Sequence, residues 1–141
     1  MNKQSYPFHK TLDGRFKLKV PIRVVNLETG KSIPTLAIID TGADHCTFPS
    51  MITLNIGLSL DEKSKSQKGT RGISGEEQET YKHWVRIELL DSNRIKVIRS
   101  LDVIANTLKR NDIPPILGTE MFLDKFHLSV NYLKQIIELN W

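Results

Sequence analysis

The sequence predicts a single domain that is mainly β, with one or two short helices, and three observations carry that reading. Apolar and polar residues alternate with the period of a half-buried strand, as in Phe16, Leu18 and Val20 against Lys17 and Lys19, and again along Trp84-Val85-Arg86-Ile87-Glu88-Leu89. Turn-forming groups separate these runs at Asp13-Gly14, Glu28-Thr29-Gly30-Lys31 and Asp91-Ser92-Asn93. Only the stretches after Pro49 and after Thr119 suit a helix, and both are short. The 141 residues make one domain's worth of chain, long enough to bury a core.

Residues 1–14 are polar and irregular and read as a flexible N-terminal segment, with the domain proper at 15–141. Ile22, Val24 and Val25 extend the first alternating run, and Ile33 to Ile39 returns after the Glu28–Lys31 turn as its hairpin partner. Pro49 suits the opening of a helix through Met51, Ile52 and Leu54 that stops at Gly57, although its β-branched residues also leave a strand open. Residues 59–68 and 106–112 are polar and read as loops. Between the first of these loops and Tyr81 lies Gly69-Thr70-Arg71-Gly72-Ile73-Ser74-Gly75, which fits an ordinary hairpin tip or a mobile lid. Strands follow at 84–89, 95–98 and 101–104. Thr119 can cap a short helix carrying Phe122 and Phe126 on one face, and 127–132 with 135–139 reads as a closing hairpin.

Composition excludes several classes of function. Hydrophobic residues make up 39% and charged residues 26%, as in ordinary globular domains, and the net charge of +4 is spread along the chain. A nucleic-acid surface would concentrate that charge on one face with aromatic residues interleaved, so no nucleic-acid partner is expected. Cys46 stands alone and His9, His45, His83 and His127 are scattered, which speaks against a disulfide or a metal centre; no metal and no cofactor are expected. No apolar run reaches the length of a membrane span and the N-terminus lacks a signal-peptide core, so the expectation is a cytoplasmic protein with no membrane partner.

The stretch that invites chemistry is Leu36-Ala37-Ile38-Ile39-Asp40-Thr41-Gly42-Ala43-Asp44. Four apolar residues read as a buried strand, and they deliver a carboxylate onto a tight turn at the edge of the core. A charge placed there calls for a partner. A second apolar run ending in glycine, Ile116-Leu117-Gly118, comes later, with the Gly-rich segment between the two. Neither Asp13-Gly14 nor Asp91-Ser92-Asn93 repeats the Asp-Thr-Gly pattern.

On these residues the chain, from about Val20 to Leu139, resembles the retropepsin-like aspartic proteases, and Gly118 to Phe126 with Leu128 to Tyr132 looks most like their single-domain prokaryotic members. The resemblance implies a single-domain acid-protease (retropepsin-like) closed β fold and an aspartic endopeptidase that needs no cofactor. It implies catalysis by Asp40, with Thr41 bonding across a two-fold axis and Gly42 approaching the substrate backbone. Ala43 and Asp44 would bind substrate main chain, and Gly72, Ile73, Ser74 and Gly75 would form a flap with Ile73 at its tip. Ile116, Leu117 and Gly118 would support the catalytic loop from behind. Carboxylate catalysis of amide hydrolysis uses two groups sharing one proton, and one Asp-Thr-Gly per chain can supply two only across a two-fold axis. A homodimer acting on an extended peptide or protein substrate is therefore expected. Two positions depart from the retroviral pattern: Thr119 stands where an arginine usually pairs with the acid equivalent to Asp44, and His45 replaces a frequent acid. Ser5-Tyr6-Pro7-Phe8 is also similar to an aromatic-Pro cleavage site, which raises self-processing. The residues alone leave two other readings open, a non-catalytic peptide-binding or regulatory module and a structural dimerisation domain.

Overall fold

In the computed structural model the hydrophobic pattern closes into a barrel. The structure describes residues 1–65, 70–71 and 77–141. In chain order the strands are β1 (Lys3–Pro7), β2 (His9–Lys10), β3 (Phe16–Lys17), β4 (Lys19–Val25), β5 (Ser32–Ile39) and β6 (Thr47–Pro49), then helix α1 (Ser50–Asn55). After it come β7 (Thr70–Arg71), β8 (Glu77–Gln78), β9 (Thr80–Leu90), β10 (Val97–Leu108), β11 (Ile116–Leu117), β12 (His127–Asn131) and β13 (Ile136–Asn140). The barrel order is β10-β6-β11-β5-β4-β9, closed by the long β9–β10 hairpin, and a separate sheet has the order β1-β13-β12.

Period-two alternation turns directly into the core. Val20, Ile22 and Val24 of β4, Ala37 and Ile39 of β5, Val85, Ile87 and Leu89 of β9, and Val103 and Ala105 of β10 all point inward and are buried. Phe48, Ile52, Ile56, Leu117 and Phe122 complete that cluster. The β4–β5 turn is organised by buried Asn26, whose Oδ1 accepts the Glu28 N–H at 2.9 Å. Its amide donates to the Ile56 carbonyl at 2.9 Å, tying the hairpin to the end of α1. Gly57, at φ 86°, ends that helix in a conformation glycine adopts without strain.

Several expectations need correcting. The segment 1–14, expected to be flexible, contains paired strands, because β1 pairs with β13 from Lys3–Asn140 to Pro7–Ile136, and β2 pairs with β3. Tyr6 is buried and its hydroxyl donates to the Leu90 carbonyl at 2.6 Å. Burial first, and the Asp91 charge second, push its phenol above the ordinary range. The Tyr6-Pro7 bond thus lies in a paired strand with its aromatic side chain in the core, unlike an accessible cleavage site. The loop expected at 106–112 starts later, since 106–108 extend β10 and pair in parallel with β6. Its polar residues are buried because they have partners, as where the Thr107 and Thr53 hydroxyls bond at 2.6 Å. The expected strands 95–98 and 101–104 are one strand with an irregularity between Val97 and Arg99.

After Thr119 there is a single 3-10 turn, Leu123–Lys125, in place of a short helix, and no side chain caps it. Phe122 and Phe126 do meet, with ring centres 5.3 Å apart. Arg99 lies over the Phe126 ring at 4.6 Å and the Trp141 ring at 5.5 Å, and donates to the Lys125 carbonyl at 2.6 Å. No helix among the described residues is long and apolar enough to cross a membrane.

If β1 is part of the fold, Tyr6→Ala should lower stability by about 3–5 kcal/mol, the cost of emptying a buried aromatic site. Tyr6→Phe, which strands only the Leu90 carbonyl, should cost about 1–3 kcal/mol. Denaturant unfolding measures both, and parent-like midpoints would mean β1 is not held.

Candidate active site

Asp40 follows the last residue of β5, where the strand leaves the barrel. Ile39 is buried, Asp40 is half-buried, and Thr41, Gly42 and Asp44 are exposed. The carboxylate is set by its own loop: Oδ1 accepts the Gly42 N–H at 2.9 Å, and the Asp40 carbonyl accepts the Ala43 N–H at 3.2 Å. This is the local turn that aspartate makes with the backbone two residues on. Among the described residues no lysine, arginine or histidine forms an ion pair with Asp40 or Asp44. Gly42 is not in the left-handed region; what it supplies is space, because a Cβ there would stand 3.3 Å from Asp40 Oδ1.

Behind this loop β11 is inserted between two strands. Ile116 and Leu117 pair in parallel with Ile38 and Ile39, while Ile116 also pairs antiparallel with Thr47 of β6. The Leu117 carbonyl accepts the Asp40 N–H at 3.1 Å, so β11 holds the catalytic candidate by its backbone. Gly118 is buried against the far side of the same loop. A Cβ at Gly118 would lie 2.5 Å from the carbonyl carbon and oxygen of His45 and 2.8 Å from its nitrogen, a contact no side chain can make. The sequence-predicted residues Asp40, Thr41, Gly42, Ala43, Asp44, Ile116, Leu117 and Gly118 are therefore brought into one structural unit. Gly72, Ile73, Ser74 and Gly75 lie outside the described residues; on either side of them β7 and β8 pair antiparallel, Arg71 opposite Glu77.

The two positions that depart from the retroviral pattern meet each other's neighbours. Thr119 donates its N–H to the Ala43 carbonyl at 2.9 Å and its hydroxyl at 3.3 Å, and Glu120 donates its N–H to the Asp44 carbonyl at 2.8 Å. The Glu120 carboxylate lies 3.3 Å from His45 Nδ1. Loop-to-loop contact here is made by backbone hydrogen bonds and a His–Glu pair, with no arginine involved. Glu120 carried no signal in the sequence, because its role depends on a residue far away in the chain.

Cys46 follows directly, buried beneath the loop. Burial is the main cause that pushes its thiol up to about 11, with a backbone hydrogen bond from Gly118 opposing, so at neutral pH it packs as a neutral apolar group. Among the described residues no group of three or more His, Cys, Asp or Glu side chains is placed to hold a metal ion.

Comparison with known proteins agrees with this architecture. No family model matches the sequence, and no curated protein matches it. The chain is similar in structure to a retropepsin-like aspartic protease from Rickettsia conorii, with a TM-score of 0.63 and 15% identity, over 99% of this chain and 93% of that one. It is also similar to EIAV protease complexed with the inhibitor HBY-793, with a TM-score of 0.52 and 20% identity, over 82% of this chain and 93% of that one. The fold is retropepsin-like.

The two glycines should respond differently to alanine. Gly118→Ala forces His45 backbone to move and should cost at least about 1–3 kcal/mol, the usual penalty of overpacking. Gly42→Ala, facing only the Asp40 carboxylate, should leave the unfolding midpoint close to the parent's. Thermal and denaturant unfolding of both variants provide the comparison, and equal midpoints would contradict the close approach at Gly118.

Proposed function

We propose that the chain is an aspartic endopeptidase that works as a homodimer, with one Asp40 from each protomer forming the catalytic pair. The observation that carries this reading is the presentation of Asp40. A half-buried carboxylate stands at the end of a core strand, held by the Gly42 N–H and by Leu117 from behind, with no cation to neutralise it among the described residues. Such a group is held for use, since an isolated carboxylate at a core edge is costly unless something else shares its environment. A second Asp40 across a two-fold axis supplies that partner, and the pair would share one proton.

In the proposed reaction the ionised Asp40 takes a proton from water as the water attacks the scissile carbonyl. The protonated Asp40 of the other protomer gives its proton to the carbonyl oxygen. On collapse of the tetrahedral intermediate the Asp40 that took the water proton gives it to the leaving amine, while a hydroxyl of the gem-diol returns its proton to the other Asp40, so the pair again holds one proton. The exposed Thr41, which makes no side-chain hydrogen bond among the described residues, is available to bond across the axis. The carbonyls of Ala43 and Asp44 are already engaged by Thr119 and Glu120, so of the acceptors on these two residues the exposed Asp44 carboxylate is the one we assign to a substrate N–H. An extended peptide would lie along this floor, and we assign its cover to Gly72, Ile73, Ser74 and Gly75. Positioning and exclusion of water are what such a cover contributes.

Peptide-library cleavage across acidic to neutral pH tests the reading. Asp40→Asn should reduce turnover by at least about a thousandfold, the scale of losing a positioned proton-transfer group, with fold and dimer retained. Specific activity should also fall on dilution as dimers dissociate. Undiminished cleavage by Asp40→Asn would exclude the mechanism. Peptide binding without cleavage by the parent chain would favour a non-catalytic module.

A further inference from the structure

Two adjoining cavities open on the outer side of the β4–β5 hairpin. Leu36, which lines both, lies about 13 Å back along β5 from Asp40 at the usual rise of an extended strand. The larger, about 230 Å³, is lined by Pro21, Pro34, Leu36, Leu90 and Arg94 among others. The smaller, about 80 Å³, shares Pro21, Leu36 and Arg94 and extends to Pro7, Lys19 and Ser92. Pro21 and Leu36 are cross-strand partners and form a common apolar floor. Pro7, Pro21 and Pro34 have no backbone N–H, so at these three positions the groove offers an anion no main-chain donor, and charged side chains are the donors to consider.

Those side chains are cationic and unused. Lys19 and Arg94 form no ion pair and no side-chain hydrogen bond among the described residues, and the same holds for His9 at the edge of the smaller cavity. The neighbouring carboxylate, Asp91, does not neutralise them. Its Oδ1 is turned into its own loop, accepting the N–H groups of Ile95 at 2.8 Å and Lys96 at 3.1 Å. Arg94 also has φ 62°, a left-handed conformation that glycine adopts freely and that a residue with a side chain adopts only with strain. An arginine is thus held, at a conformational cost, where glycine would be the relaxed choice, and it overhangs an apolar hollow.

We propose that this groove binds a carboxylate carried on a short apolar body, the chemistry shared by the C-terminal residue of a peptide and by a free aliphatic acid. The apolar part fills the hollow over Pro21 and Leu36, and the carboxylate meets Arg94 and Lys19. The volume suits one such group: about 150 Å³ is enough for a benzene-sized guest, whereas drug-sized ligands need about 300 Å³ or more. This site is independent of Asp40, so its failure would leave the catalytic proposal untouched.

The test is an NMR titration of the isotopically labelled full chain, carrying Asp40→Asn so that no peptide is cleaved. The probes are 4-methylpentanoate, its neutral amide, and acetyl-Ala-Ala-Ala-Leu as free acid and as C-terminal amide. Both acids should give saturable shifts at Thr35, Leu36, Ser92 and Arg94, and both amides should bind about tenfold or more weakly, the loss expected for one charge-assisted hydrogen bond. Arg94→Gly should keep or raise the thermal midpoint while weakening the acids about tenfold, and Lys19→Gln should weaken them in the same direction. Tighter binding of the peptide acid assigns the site to a chain terminus, and tighter binding of the free acid assigns it to a small molecule. Equal titration by acids and amides, shifts confined to other residues, or parent-like affinity in folded Arg94→Gly would overturn the proposal. Should Arg94→Gly not fold, Lys19→Gln and the acid–amide comparison on the parent chain decide.

Discussion

The position of Asp40 depends on a contact that only a missing side chain permits, the approach of Gly118 to the backbone of His45 within the space a Cβ would need. Because that space is free, β11 can lie between β5 and β6, pairing with one in parallel and with the other antiparallel. From there Leu117 accepts the Asp40 N–H and fixes where the chain leaves the barrel. The rest follows from this wedge. Thr119 and Glu120 are carried over the loop and take the Ala43 and Asp44 carbonyls, while Cys46 is sealed beneath it. A two-residue strand thereby orders a loop that has little core of its own.

The loop also shows how one geometry can be held by different chemistry. Joining the 40–46 loop to the 118–120 turn requires first that orphan carbonyls find donors, and second that the polar side chains facing each other there find partners. Backbone N–H groups of Thr119 and Glu120 satisfy the first need, and the Glu120 carboxylate lies beside His45 Nδ1 with no arginine involved. That His–Glu pair is largely exposed, so its energetic weight is small, about 0–1 kcal/mol at most. The backbone bonds do most of the holding, and they do not depend on side-chain identity. This is consistent with a fold shared at 15–20% identity, where topology persists and side chains differ.

Much of the fold was legible because half-buried strands write their period into the sequence. The β4–β5 hairpin, the Asp91 turn, the helix ending at Gly57 and the closing β12–β13 hairpin all follow from local patterns. Local pattern misleads wherever distant pairing overrides local polarity. Lys3 to Pro7 looks like part of a flexible segment until β13 supplies its partner, and Asn106 and Thr107 look like a loop until β6 and Thr53 satisfy them. Within the candidate site, Asp40, Gly42, Leu117 and Gly118 were legible as strand ends with glycines. The reason for Gly118 was not, since it serves a close approach to the His45 backbone and needs no left-handed turn. Glu120, Asn26 and the strained Arg94 are visible only once the chain is folded.

The central claim is that Asp40 is half of a site. A crystal structure of the full chain as a dimer, bound to a non-cleavable peptide isostere, tests it most directly through the separation of the two Asp40 carboxylates. The account predicts them within hydrogen-bonding reach of each other across a two-fold axis, about 2.5–3 Å between oxygens, with the isostere hydroxyl between them. A dimer that holds them far apart, or an isostere seated elsewhere, would contradict it.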